Sequence, residues 1–249
     1  MKLNVQHLHK SFGGVHAVDG ADFSFEEGKV TAIVGPNGSG KSTTINLLTG
    51  VIPFEKGILK FGEHTTLSKI SAHEIPTYGM TRTFQDVKLF EQMTVLDNLL
   101  VVLTEREPFK ALFEKHTKFH LDVANTILKT IGLHEKKHDF AINLSYGQRK
   151  LLEIGRVMVM EEAGYGAISI IFLDEPFAGL FKEMIETVSE LITSFKKSGK
   201  AVVLVEHNMD IIRALSDYVI VMDAGKILAE GKPEEVLTKR SVIEAYLGA

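Results

Sequence analysis

Val30-Thr31-Ala32-Ile33-Val34-Gly35-Pro36-Asn37-Gly38-Ser39-Gly40-Lys41-Ser42, running on into Thr43-Thr44-Ile45-Asn46-Leu47-Leu48, decides the fold of this chain. The unbroken apolar and β-branched run Val30 to Val34 reads as a strand buried on both faces, as in a parallel sheet covered by helices. The next eight residues fit G-x-x-x-x-G-K-[ST], and Thr43 to Leu48 reads as a helix. In such a loop the glycines let backbone N–H groups turn inward around phosphate oxygens, while the following helix aims its positive end at them. Lys41 would reach the β and γ phosphates and Ser42 would hold Mg²⁺. A structural glycine turn is the plain alternative; the strand before and the helix after weigh against it.

Working outward, Ile168 to Leu173 and Ala201 to Val205 repeat the buried-strand pattern. Each ends in a polar turn, Asp174-Glu175 and Glu206-His207-Asn208, and ligands of open α/β sheets bind beyond the carboxyl ends of strands. An acidic pair at a strand end can simply cap the next helix. With a phosphate loop upstream, Asp174 is placed to bind Mg²⁺ and Glu175 to polarise an attacking water as general base. The alternating stretches Leu3 to Leu8 and Ala21 to Phe25 predict a separate antiparallel layer. From about Thr94 to Met160 the texture is helical. Leu121, Ala124, Ile127, Leu128 and Ile131 recur at helical spacing, Gly132 closes that helix, and Pro108 marks an earlier start or break. Ser145 and Gln148 form an S-x-x-Q capping box ahead of a helix expected over Leu151 to Met160; a serine, a glycine and a helix N-terminus also suit phosphate.

The order of these motifs resembles the ATP-binding subunits of ABC transporters. Gly35 to Ser42 stands as Walker A, Leu144-Ser145-Tyr146-Gly147-Gln148 as the signature, and Ile171-Phe172-Leu173-Asp174-Glu175-Pro176 as Walker B. The resemblance covers nearly the whole chain. It implies an α/β fold with a P-loop NTPase (RecA-like) core, an antiparallel β subdomain and a helical insert, the ABC ATPase fold. The whole chain, 1–249, would be a single ATP-binding domain, with its core in 1–86 and 165–249 and its helical subdomain in 87–164.

The resemblance further implies ATP and Mg²⁺ as cofactors, with Gly35, Asn37, Gly38, Ser39, Gly40, Lys41, Ser42 and Thr43 around the phosphates. Phe12 would stack on adenine, although a half-buried core position is its alternative. Gln85 falls at the Q-loop, as a catalytic group and Mg²⁺ ligand beside Ser42 and Asp174, and His207 at the switch histidine, where a structural histidine is the bland reading. Ser145, Gly147 and Gln148 would close over the nucleotide of a second ATP-binding subunit, a copy or a paralogue. Separate transmembrane permeases, docking near Gln85, Phe84, Phe90 and Met93, and a solute-binding protein complete the expected partners, at the cytoplasmic face of the membrane.

Arg82-Thr83-Phe84-Gln85, the signature tyrosine and the ending Ala245-Tyr246-Leu247-Gly248 look like the ATPases of branched-chain amino acid importers; lipopolysaccharide-export ATPases share a similar ending. Two departures stand out. Phe181 replaces the usual D-loop Asp or Asn, which admits a poorly hydrolysing, ATP-sensing partner subunit as an alternative, and Glu161 to Ala167 lengthens the link to Walker B.

Composition removes other classes. Of 249 residues none is cysteine, so disulfides, thiolate metal sites and thiol nucleophiles are excluded. A formal charge of −4 gives no positive field for nucleic acid or an anionic membrane. No apolar run approaches the roughly 20 residues of a membrane span, and Met1 to His7 does not read as a secretory signal. His134-Glu135-Lys136-Lys137-His138 matches H-E-x-x-H, which as a zinc site needs both histidines on one helical face; its polar surroundings after Gly132 argue for surface. His116 and His120 have helical metal spacing but no acidic residue between them.

Overall fold

The computed structural model describes residues 2–84, 86–103, 118–162 and 168–247. Gln85, Pro108, His116 and most of the link before Walker B lie outside them.

The described chain divides into two compact units, 1–82 with 169–176 and 189–249, and 83–168 with 177–188. The first unit holds two sheets. An antiparallel sheet in the order β2-β1-β4-β5 is built from β1 (Lys2–Phe12), β2 (Val15–Glu26), β4 (Lys56–Phe61) and β5 (Thr65–Leu67). The other, in the order β10-β9-β3-β8-β7-β6, contains β3 (Val30–Val34), β6 (Met80–Arg82), β7 (Ile170–Asp174), β8 (Ala201–Val205), β9 (Tyr218–Asp223) and β10 (Lys226–Gly231). All its neighbours run parallel except the antiparallel β9-β10 edge.

Every residue of β3, β7 and β8 is buried, as their uninterrupted apolar runs require. The two faces of β3 serve different cores: Ile33 packs with Leu3, Phe25, Ile45, Phe172 and Val203, and Ala32 and Val34 pack with Ile212, Val219 and Val236. Alternation in β1 slips after Val5. His7 takes a left-handed φ of 51°, its N–H donates to Asp22 at 3.0 Å, and the inward series resumes at Leu8.

Helices α1 (Lys41–Leu48), α6 (Met209–Leu215), α7 (Pro233–Val236) and α8 (Arg240–Leu247) belong to the first unit. The second contains α2 (Val95–Leu100), α3 (Lys118–Thr130) and α4 (Tyr146–Glu162). Helix α5 (Lys182–Lys197) starts in the second unit and ends in the first. In α3, Ala124, Ile127 and Leu128 are buried and Gly132 ends the turn at φ 68°, but Leu121 faces solvent. Helix α4 begins five residues before the expected Leu151, directly at the capping box, with Ser145 preceding it and Gln148 in its first turn: Ser145 N–H donates to Gln148 Oε1 at 3.1 Å and Gln148 N–H to Ser145 Oγ at 3.3 Å. His134–Lys136 is a 3₁₀ turn, so the H-E-x-x-H pattern does not lie on an α-helix and its histidines do not share a face. No helix among the described residues is long and apolar enough to cross a membrane.

Candidate functional site

In the first unit, register brings three strand ends into one row. Ile33 pairs with Val205, and Val205 with Asp174. The turns that follow, Gly35 to Gly40, Glu175 and Glu206-His207, therefore leave the same edge of the sheet.

The loop after β3 needs its glycines for space as well as for backbone freedom. Gly35 has φ 151°, and a Cβ there would sit 2.1 Å from Met222 O; Gly40 has φ 103°, and a Cβ there would sit 2.3 Å from Ala17 O. Around Gly38, at φ 80°, there is open space. Helix α1 has no side-chain N-cap, so its first N–H groups await an outside acceptor. Ser39 Oγ is buried and makes no hydrogen bond, whereas Asn37, Gly38 and Ser42 are exposed. The buried Lys41 ammonium bridges the carbonyls of Gly35 at 2.8 Å and Pro36 at 2.9 Å. Burial pushes its pKa below the usual lysine value, while the charges of Glu175 and Asp174 pull it back up. Donor-rich backbone, an uncapped helix start and one cation suit a polyphosphate. The exposed hydroxyl of Ser42 and the carboxylate of Asp174 are the hard oxygen donors that Mg²⁺ prefers.

Glu175 sits in the left-handed region at φ 49°, a strained place for a residue with a Cβ, and its N–H donates to Val205 O at 3.0 Å. Its Oε1 lies 3.0 Å from His207 Nε2, so the two expected catalytic groups are in hydrogen-bond contact. The buried Glu206 carboxylate fixes this turn by accepting the N–H groups of His207 at 2.6 Å and Asn208 at 3.1 Å. Phe12, at the tip of β1, is 47% exposed with the Lys10 ammonium 5.2 Å from its ring centre, so it is no core residue.

Arg82, which the sequence offered only as part of a family-like stretch, has a site role that sequence reading did not assign. Its guanidinium donates to Asp174 Oδ2 at 3.2 Å and, through the other nitrogen, to Asn46 Oδ1 and Thr49 Oγ1 of the α1 segment, both at 2.8 Å. Both members of the ion pair are 4% exposed. The basic residue was visible in the sequence, but its partner stands 92 positions away.

In the second unit Ser145 is exposed at the start of α4, and Gly147 is buried where a Cβ would meet Met184 Sδ at 2.3 Å. Packing thus gives Gly147 a structural reason of its own. Phe181 is 76% exposed, Phe90 is 48% exposed, and Phe84 and Met93 are partly covered.

A family profile for ABC transporters matches residues 18–178. The chain is 36% identical over 99% of its length to a protein named as probable branched-chain amino acid transport ATP-binding protein LivG of Archaeoglobus fulgidus, covering 95% of it. Identity to the high-affinity branched-chain amino acid transport ATP-binding protein LivG of Escherichia coli K12 is also 36%, over 99% of this chain and 97% of that one. Among solved structures it is similar to a nucleotide-free ATP-binding cassette from an ABC transporter, at TM-score 0.84 and 34% identity with full coverage of both chains. The ADP conformation of MJ1267, an ATP-binding cassette of an ABC transporter, matches at TM-score 0.83 and 34% identity, again with full coverage of both. A phosphate loop, an acidic strand end and a glutamate touching a histidine on one sheet edge, in a chain with such relatives, have one meaning: the chain belongs to the ABC transporter family, as one of its ATP-binding, ATP-hydrolysing subunits.

Proposed function

We propose that this subunit powers the uptake of branched-chain amino acids through separate membrane permeases, at the cytoplasmic face of the membrane, with a solute-binding protein delivering the substrate. The substrate reading rests on the names of full-length relatives at 36% identity. The observation that carries the chemistry is the 3.0 Å contact between Glu175 and His207 on the sheet edge that also bears the Lys41 loop.

In this reading Phe12 stacks on adenine, and Gly35, Asn37, Gly38, Ser39, Gly40, Lys41, Ser42 and Thr43 receive the phosphates. Lys41 exchanges its loop carbonyls for β and γ phosphate oxygens, which as anions are the stronger acceptors. Ser42 and Asp174 would hold Mg²⁺, which would neutralise phosphate charge; the family resemblance adds Gln85, which lies outside the described residues. Glu175 orients a water and accepts its proton as the water oxygen attacks the γ-phosphorus in line. The bond from that phosphorus to the β–γ bridging oxygen breaks, leaving ADP and phosphate. His207, held by Glu206, donates to a γ-phosphate oxygen and keeps Glu175 in place. Ser145, Gly147 and Gln148 serve the nucleotide of a second ATP-binding subunit. Phe84, Phe90 and Met93 offer apolar surface for a permease loop.

The test is transport coupling. The intact complex, isolated from its membrane and reconstituted in proteoliposomes with its solute-binding protein, should hydrolyse ATP several-fold faster with leucine, isoleucine or valine than with unrelated solutes. Equal stimulation by all solutes would contradict the substrate assignment and leave the ATPase chemistry standing.

A further inference from the structure

Residues 84 and 86 to 90 have no regular secondary structure, so their backbone polar groups must find partners elsewhere. They find them on side chains of the second unit, two of them buried. Glu153 of α4, 6% exposed, accepts the Phe84 N–H at 3.0 Å and also takes the Lys88 N–H. Arg156 of the same helix donates to Lys88 O at 2.5 Å and lays its guanidinium 5.5 Å from the centre of the Phe90 ring. Asn98 of α2, fully buried, accepts the Phe90 N–H at 2.9 Å and donates back to Phe90 O at 3.0 Å.

These contacts continue toward the start of α4. Tyr146, Lys150, Glu153 and Arg156 follow at spacings of four, three and three, which places them along one face of the helix. The Lys150 ammonium, 2% exposed, lies 5.6 Å from the Tyr146 ring centre. Burial pushes the Glu153 carboxyl up, against the pull of the Phe84 and Lys88 N–H groups and of the Lys150 and Arg156 charges. Two buried charges such as Lys150 and Glu153 are costly beside apolar side chains of the same volume, so stability alone does not explain them.

We propose that Glu153 is a positioning residue: from the helix that begins at the signature it fixes the main chain at Phe84 and Lys88, on either side of position 85, so that nucleotide engaging Ser145 is mechanically tied to that segment and to the exposed Phe90. Arg156 completes the clamp. The consequence for turnover rests on the proposed function; the clamp itself does not.

Backbone amide exchange of the full-length chain, free and with MgADP, tests it together with kcat and KM for ATP. In Glu153→Ala the Phe84 and Lys88 amides should exchange about tenfold faster or more. MgADP affinity should stay within about twofold, and kcat should fall about tenfold or more with little change in KM, as for a misplaced rather than a missing group. Glu153→Gln has the same shape but one neutral acceptor oxygen in place of a carboxylate, so the protection of the two amides and kcat should lie between those of wild type and the alanine variant; this variant also serves if the alanine form does not fold. Unchanged exchange at both amides, or lost protection with normal kcat, would overturn the proposal. A wild type without ATP turnover would instead fail the proposed function, and the exchange pattern alone would then judge the clamp.

Discussion

Asp174 is buried and ionisable, and a lone carboxylate in that position would be costly to desolvate. Arg82 relieves that cost, and its bonds to Asn46 and Thr49 also tie Asp174 to the segment whose first turn carries Lys41 and Ser42. Removing one partner of a buried pair leaves the other charge stranded, so Arg82→Met should lower unfolding stability by about 3–5 kcal/mol. The double variant Arg82→Met with Asp174→Asn, in which no charge is left uncompensated, should recover much of that loss. Urea unfolding of the two proteins decides it, and a double variant no more stable than the single one would contradict the pairing.

At the scale of elements, the C-terminal helix α8 places Tyr246 beside the phosphate loop. The Tyr246 hydroxyl is enclosed; burial pushes its pKa up to about 12, and the Gly35 N–H directed at it offsets only part of this. A phenol whose folded pKa is raised costs nothing while both states keep the proton. From pH 10 upward the unfolded chain ionises and the folded one does not, so stability falls between about pH 10 and 12. Tyr246→Phe should remove that part of the alkaline loss and the uppermost step of the tyrosinate absorbance titration, with stability near pH 7 little changed. Identical alkaline unfolding curves for the two proteins would contradict this placement.

How much of each element was legible depended on how local its causes are. Strands β3 and β8 and the turns that follow them could be read because burial on both faces leaves an unbroken apolar run. The capping box was readable for the same reason, since Ser145 and Gln148 satisfy each other within one turn. The true start of α4 was obscured because Gly147 looks like a loop residue until its packing against Met184 is known. The slip in β1 at His7 depends on Asp22 of the neighbouring strand, and the roles of Arg82 and Glu153 depend on partners 92 and 69 positions away. Periodicity carries no signal for contacts of that range.

In the proposed function, ATP hydrolysis by one subunit is joined to its pairing with a second. Both rest on Glu175, a strained residue in contact with His207. Glu175→Gln keeps the shape and the ability to hold a water, but its amide is far too weakly basic to take the proton. The phosphate loop, Lys41, Ser42 and Asp174 are untouched, so ATP should still bind. The decisive measurement is phosphate release by Glu175→Gln and wild type, with size-exclusion chromatography of each with and without ATP. Turnover of the variant should fall by about 10²-fold or more, and an ATP-dependent dimer should accumulate. Near-normal phosphate release would exclude Glu175 as the base and contradict the hydrolysis chemistry proposed for this sheet edge.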